Sequence, residues 1–235
     1  VAEATTGCYH RAMFFAPFLI FYAFLFLGLL FVWMMFVWVG IISNVFQALG
    51  LPPSLAFIAL LASFLGSYIN IPLTEVEGGG TQLPEVVAHF GMRYRIPVRY
   101  QTGKTTVAIN VGGAIVPTLI SLYVLSHFSE VIVAALIGTA IVTIIVNRFA
   151  RPIPGLGIAT PMFIPPIIAA ICGWSLGGHH ADAVAYVSGV IGTLVGADLM
   201  NLRKIGGLGA PVASIGGAGT FDGIFLTGIV AVLLA

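Results

Sequence analysis

Two carboxylates, Asp198 and Asp222, lie inside otherwise apolar stretches of a 235-residue chain that is 59% hydrophobic and 7% charged. A charge held at membrane depth is costly, and an acid kept there marks a functional site by default. Two acids at matched depth point to a sharper chemistry, a pair that shares one proton. The ionised member would draw a proton from water while the protonated member polarises a carbonyl. Asp198 and Asp222 are therefore the candidate catalytic residues. No cation lies inside either stretch to neutralise them.

The elements that must carry this pair follow from composition. Soluble domains carry about a quarter charged residues, so the low charge and a mean hydropathy of +1.10 indicate a polytopic membrane protein. A net charge of +1 gives no basis for nucleic-acid binding. Segments of about 17–25 apolar residues span a bilayer, and seven candidates emerge: residues 12–42, 53–71, 111–125, 131–147, 158–174, 183–202 and 219–235. With seven spans all nine cations fall on the side of the N-terminus, which the positive-inside rule makes cytoplasmic, with the C-terminus outside. Residues 13–42 are too long and apolar for a signal-peptide core. The opening is polar and lacks Met, so residues are expected to precede Val1. Cys8 and Cys172 fall near opposite ends of the bundle, which argues against a disulfide.

Depth agrees between the two acids. Arg203 and Lys204 mark the cytoplasmic boundary of the sixth span, which places Asp198 roughly 7–8 Å inside it at about 1.5 Å per residue. Asp222 is followed by about 20 Å of helix, which puts it about 10 Å from the same face of a ~30 Å core. Asn70, Asn110 and Asn201 gather at this level. They read first as interhelical hydrogen-bond glue. On the functional reading they join Gly219, Gly223 and Pro161 as substrate-binding positions. The glycine-rich, uncharged loop 206–219 can re-enter the membrane where it lines a cavity. Pro161, Pro165 and Pro166 are expected to break or kink the fifth span.

Outside the spans, residues 74–110 form the one sizeable segment, on the cytoplasmic side. Alternation from Met92 to Tyr100, a turn at Thr102-Gly103 and renewed alternation at Thr105, Val107 and Ile109 predict a β-hairpin, with Pro97 on an edge strand. Such a ribbon either rests on anionic headgroups or templates an extended peptide. On the outer side His127, Glu130, His179, His180 and Asp182 share two loops. Mixed ligands of this kind can hold zinc, but the spacing matches no known signature and solvated loop histidines are the simpler reading.

The runs Gly196-Ala197-Asp198-Leu199-Met200-Asn201-Leu202 and Leu208 to Phe225, with Asn70-Ile71-Pro72-Leu73 and Asn110-Val111-Gly112-Gly113, resemble a prokaryotic membrane-protein family known as domain of unknown function 1614. The likeness covers most of the chain from the second helix onward and implies no function. A more distant architectural similarity, to presenilin and signal-peptide-peptidase-type intramembrane aspartyl proteases, does imply one. There one aspartate lies on a helix running toward the cytoplasm and the other on the next helix, running outward, within Gly-x-Gly-Asp. Here the second motif is Gly219-Thr220-Phe221-Asp222-Gly223, with Phe before the acid, and no Pro-Ala-Leu signature follows.

The expectation is thus a single all-α membrane domain over residues 1–235, with about seven transmembrane helices and a small cytoplasmic β-hairpin between the second and third. It would sit in a prokaryotic plasma membrane, contact lipid, and hydrolyse a transmembrane peptide with Asp198 and Asp222, needing no cofactor or metal. A transporter or ion-coupled carrier that uses the acids to bind a proton, cation or solute is the alternative, and a non-catalytic scaffold a third. Oligomeric state is left open.

Overall fold

A computed structural model describes residues 16–77, 86–89, 92–95, 104–153, 157–205, 212–217 and 223–235. The chain divides into two units, Val1–Asn44 and Val45–Ala235. The first is occupied by helix α1 (Ala16–Ala48), which continues a few residues into the second. Its Ile20–Ala48 stretch has a hydropathy of 2.6. Nearly every large side chain from Phe18 to Val39 is exposed, and an all-round apolar surface on one helix is what lipid contact demands.

The second unit follows in order: α2 (Pro53–Gly66), β1 (Asn70–Glu77), β2 (Val86–His89), β3 (Met92–Arg95), β4 (Lys104–Asn110), a π-helical turn (Val111–Ile115), α3 (Val116–His127) and α4 (Ile132–Phe149). A short hairpin of β5 (Arg151–Ile153) and β6 (Gly157–Ala159) leads to α5 (Ile164–Leu176) and α6 (Ala181–Thr193). A second π-helical turn (Leu194–Asp198), a 3-10 turn (Leu199–Asn201) and α7 (Leu202–Ile205) extend α6. The chain closes with β7 (Val212–Ile215) and α8 (Gly223–Leu234).

Helix α6 is the axis of this unit, with α3, α4, α5 and α8 packed against it. Close approach depends on small residues where lipid-like surroundings supply no hydrophobic drive. Gly192 faces α4 so tightly that an added Cβ would lie 2.6 Å from the Cβ of Val142. One apolar cluster joins Val142, Val146, Ala169, Cys172, Ala185, Ala197 and Ala231. A second joins Val107, Ala114, Ala213 and Ile215, with Leu194 and Leu202 at its margin. The turn that carries Asp198 therefore touches both, through Ala197 and Leu194.

Three helical stretches, Ile20–Ala48, Ser129–Phe149 and Gly178–Lys204, are long and apolar enough to cross a membrane, and four shorter apolar helices accompany them. The all-α expectation fails, because a three-stranded sheet with order β1-β4-β7 lies within the second unit. β4 pairs antiparallel with β1, from Asn70 opposite Asn110 to Glu77 opposite Lys104. On its other edge it runs parallel to β7, from Thr106 opposite Val212 to Ile109 opposite Ile215. The ladder shifts register between Pro72 and Thr74, beside a residue that has no backbone donor. The alternation at Thr105, Val107 and Ile109 does belong to a strand, but its partners are β1 and β7. β3 pairs instead with β2, and Thr102-Gly103 lies outside the described residues.

The second and fifth segments are also corrected. The helix that starts at Pro53 stops at Gly66, and Asn70 opens a strand rather than ending a helix. Residues 157–159 form β6, and Pro165 and Pro166 sit in the first turn of α5, where a proline's missing N–H costs nothing. The fifth segment is thus broken, as its prolines suggested, and Pro165 and Pro166 start the helix that follows the break.

Candidate functional site

Asp198 ends the π-helical turn that follows α6. The Leu199 N–H reaches five residues back to the Leu194 carbonyl, and the widened turn leaves carbonyls in need of donors. Asparagines supply them. Asn147 Nδ2 on α4 donates to Gly196 O at 3.0 Å. Asn201 Nδ2 donates to the same oxygen at 3.2 Å and to Ala197 O at 2.9 Å. Asn201 is fully buried, and its Oδ1 accepts from Lys204 Nζ at 2.8 Å. Gly196 has no room for a side chain, since a Cβ there would lie 2.6 Å from Thr143 O of α4.

From this turn the carboxylate reaches the end of β7. Asp198 Oδ2 accepts a hydrogen bond from the Gly216 N–H at 2.7 Å. Gly216 and Gly217 both have positive φ, 82° and 79°, a conformation that glycine adopts without penalty. A Cβ on Gly216 would lie 2.6 Å from Ala114 N, so the other π-helical turn closes on this residue from behind. That turn is held by Asn110, whose Oδ1 accepts from Gly113 N at 2.7 Å. Asn110 Nδ2 donates to Ser67 O at 2.8 Å and to Asn70 Oδ1 at 3.0 Å. Asn70 Oδ1 also accepts from Ser214 Oγ of β7 at 2.6 Å. One polar layer thus ties the end of α2, all three strands and both π-helical turns together.

A cavity of about 280 Å³ opens in this layer, at the small end of ligand pockets, roughly 300–1,000 Å³. Asp198 lines it with Thr193, Ser214, Thr227 and Pro165. Gly217 and Gly223 line it as well, and these two residues flank the five-residue stretch that contains Asp222. Asp222 itself and Gly219 lie outside the described residues.

The predicted positions therefore divide. Asp198 and Gly223 border the cavity. Asn70 is one hydrogen bond removed, through Ser214, and Asn110 two, through Asn70. Asn201 is buried behind the turn, as a support for its carbonyls, and Pro161 precedes α5 without joining the lining. Thr193, Thr227, Ser214 and Gly216 escaped the sequence reading. The signal that could have found Thr193 and Ser214 is their polarity in apolar surroundings close to Asp198 and to the glycine turn.

On the opposite face, His180 Nε2 lies 3.2 Å from Glu130 Oε1, while His127 stacks on Tyr123 and Asp182 Oδ1 accepts from Ala183 N at 2.8 Å. Among the described residues no three His, Cys, Asp or Glu side chains converge as metal ligands. Cys172 is buried and free; Cys8 lies outside the described residues.

A sequence profile of the family described as "Protein of unknown function (DUF1614)" matches residues 64–234. The chain belongs to this family. The match takes in the whole polar layer, from Ser67 and Asn70 to Gly223, and every helix that packs on α6. No curated protein and no solved structure matches the chain.

Proposed function

We propose that this DUF1614 protein is a membrane-embedded peptidase of the two-aspartate type, similar in architecture to the presenilin and signal-peptide-peptidase class. The observation that carries this reading is the cavity. Asp198 lines it, and so do both residues flanking the stretch that contains Asp222. In the proposed reaction the ionised aspartate takes a proton from water, and the resulting oxygen attacks the peptide carbonyl carbon. The second aspartate gives its proton to the carbonyl oxygen. Collapse of the tetrahedral intermediate breaks the C–N bond, and the amine leaves with the proton held by the first aspartate. The pair needs no cofactor. The Gly216 N–H fixes one oxygen of Asp198 in place, and the roles of base and acid are shared between Asp198 and Asp222.

The same proposal places all seven helices across a prokaryotic plasma membrane with the N-terminus inside, so that the polar layer faces the cytoplasmic leaflet. The partners are lipid and a transmembrane peptide unwound near that face. Co-expression with a helical reporter tests the reading. Asp198→Asn and Asp222→Asn should each abolish cleavage, a loss of at least ~10³-fold if the two act as one unit. Cleavage that persists in both variants removes the proposal, and solute flux in proteoliposomes that depends on Asp222 would replace it with a carrier.

A further inference from the structure

Helix α2 has 14 residues, about 21 Å at 1.5 Å per residue, which is too short for a hydrocarbon core of ~30 Å. Its flank suits lipid all the same, with Phe57, Ile58, Leu61 and Leu65 exposed. The apolar surface does not end where the helix does. Tyr68, Ile69, Ile71 and Leu73 are 44–63% exposed, and the chain carries no charge from residue 12 to residue 74. The first charge after that run is Glu75, in an exposed pair with Lys104 at 3.1 Å. An apolar surface of this extent marks an interaction site. From Asn70 to Leu73 the strand rises about 10 Å at ~3.3 Å per residue, which supplies the length that α2 lacks.

Depth read from the other side of the sheet agrees. Asp198 lies roughly 7–8 Å inside the boundary marked by Arg203 and Lys204. It holds the N–H of Gly216, the residue after Ile215. Ile215 lies opposite Ile109, which lies opposite Ile71. With the strands along the membrane normal, that depth is about two to three strand residues, so the boundary falls at Leu73 and Thr74. The edge of β1 fits such a place. The Val111 N–H donates to Ile69 O at 3.0 Å, which sets the phase of the ladder. Bonded and non-bonded pairs alternate, so Ile71 bonds inward to Ile109 while Asn70 and Pro72 turn their backbone groups outward. Proline has no N–H, and Pro72 occupies a position where an outward donor would find no water. We propose that residues 70–73 of β1 are embedded in the hydrocarbon layer against lipid acyl chains, so that the second crossing is a helix completed by a strand. This rests on the membrane placement proposed above and not on the peptidase chemistry.

The test introduces single cysteines into the full chain in a Cys8→Ser background, whose remaining Cys172 is buried. Leu61→Cys, Ile71→Cys, Glu77→Cys and Ile144→Cys each receive a nitroxide label and are reconstituted into vesicles of phosphatidylcholine and phosphatidylglycerol. Electron paramagnetic resonance then reads collisions with oxygen, which concentrates in hydrocarbon, and with a water-soluble nickel chelate. The label at Ile71→Cys is expected to match Leu61→Cys, rich in oxygen collisions, with chelate collisions several-fold below those at Glu77→Cys. Ile69→Cys and Leu73→Cys repeat the reading should the first variant fail to reconstitute. Chelate collisions at Ile71→Cys equal to those at Glu77→Cys would put the whole sheet in water and overturn the proposal. Few collisions with either reagent would overturn it too, by showing that protein and not lipid covers the strand. Ile144→Cys on α4 separates the two failures: a label there that also meets the chelate refutes the membrane placement itself.

Discussion

Asn110 offers the most discriminating perturbation of the polar layer. It is completely buried and makes three hydrogen bonds, accepting from Gly113 N and donating to Ser67 O and Asn70 Oδ1. Asn110→Ala loses an N-cap, typically about 1 kcal/mol, and two side-chain donors at roughly 0.6–1.7 kcal/mol each. The sum is about 2–4 kcal/mol. Asn110→Asp separates a simple cap from a network node. Asp caps helices as well as Asn, and it keeps the bond to Gly113 N. It also turns both donors into a carboxylate facing Ser67 O and Asn70 Oδ1, a buried charge beside two acceptors. The Asp variant is therefore expected to be at least as unstable as the Ala variant, reversing the usual capping order. Acidification should partly restore it, since the protonated acid regains one donor.

SDS titration of purified protein in mixed micelles, followed by circular dichroism, measures both variants. Adding Asn70→Ala closes a double-mutant cycle on the Nδ2 to Oδ1 bond, with a coupling of about 0.6–1.7 kcal/mol expected. An Asp variant within about 0.5 kcal/mol of wild type, inside ordinary surface-substitution scatter, would show that Asn110 only caps its turn. The account of a shared layer between β1, β4 and the third helix would then be wrong.

Gly216→Ala should cost about 2–5 kcal/mol, from the left-handed backbone (roughly 1–2) and overpacking against Ala114 (about 1–3), and should lower any activity that depends on Asp198; a thermal-shift series in detergent reads the first and the reporter assay the second. Asn201→Leu should destabilise more than Asn147→Leu, because Asn201 serves two carbonyls and the lysine while Gly196 O keeps one donor when Asn147 is removed. Roughly 1–3 kcal/mol against under about 1.5 is expected, and equal losses would deny Asn201 its role as the main support of the turn.

The apolar pattern made the helices legible because a membrane-length run needs no partner to be recognised; each of the seven segments contains a helix. The strands were legible only as strands. Period-two alternation at Thr105, Val107 and Ile109 identifies β4 but carries no information on which edge pairs with what. The true partners lie about thirty residues upstream and a hundred downstream, the latter a four-residue strand inside a glycine-rich stretch. The prolines of the fifth segment announced a break but not its place: Pro165 and Pro166 forbid a helix interior but suit a first turn, and the sequence does not say which. The asparagines do carry hydrogen bonds, but not between helices as expected: Asn110 and Asn70 bond to one another across paired strands, and Asn201 bonds carbonyls of its own turn. Neither π-helical turn had a signature, because an inserted residue in a helix changes the phase of a pattern too uniform here to show it.

Those turns are nonetheless where the parts of the fold converge. A continuous helix satisfies all its own backbone groups, and a strand in apolar surroundings leaves an edge, so every departure from helix is costly where water is scarce. Here the departures are gathered rather than scattered. The turn that starts α3, the turn that ends α6 and the glycine turn after β7 meet around Gly216, and the break between α2 and β1 packs on the first of these at Gly112. Five backbone groups there are met by side chains: Ser67 O and Gly113 N by Asn110, Gly196 O by Asn147 and Asn201, Ala197 O by Asn201, and Gly216 N by Asp198. A set of helical faults arising independently would have no reason to share one layer or to surround one cavity. Local rules broken together at a single place, with compensation from neighbouring side chains, are expected where backbone regularity has been given up for function. The acid at the centre of that layer is the group for which such an arrangement has a use.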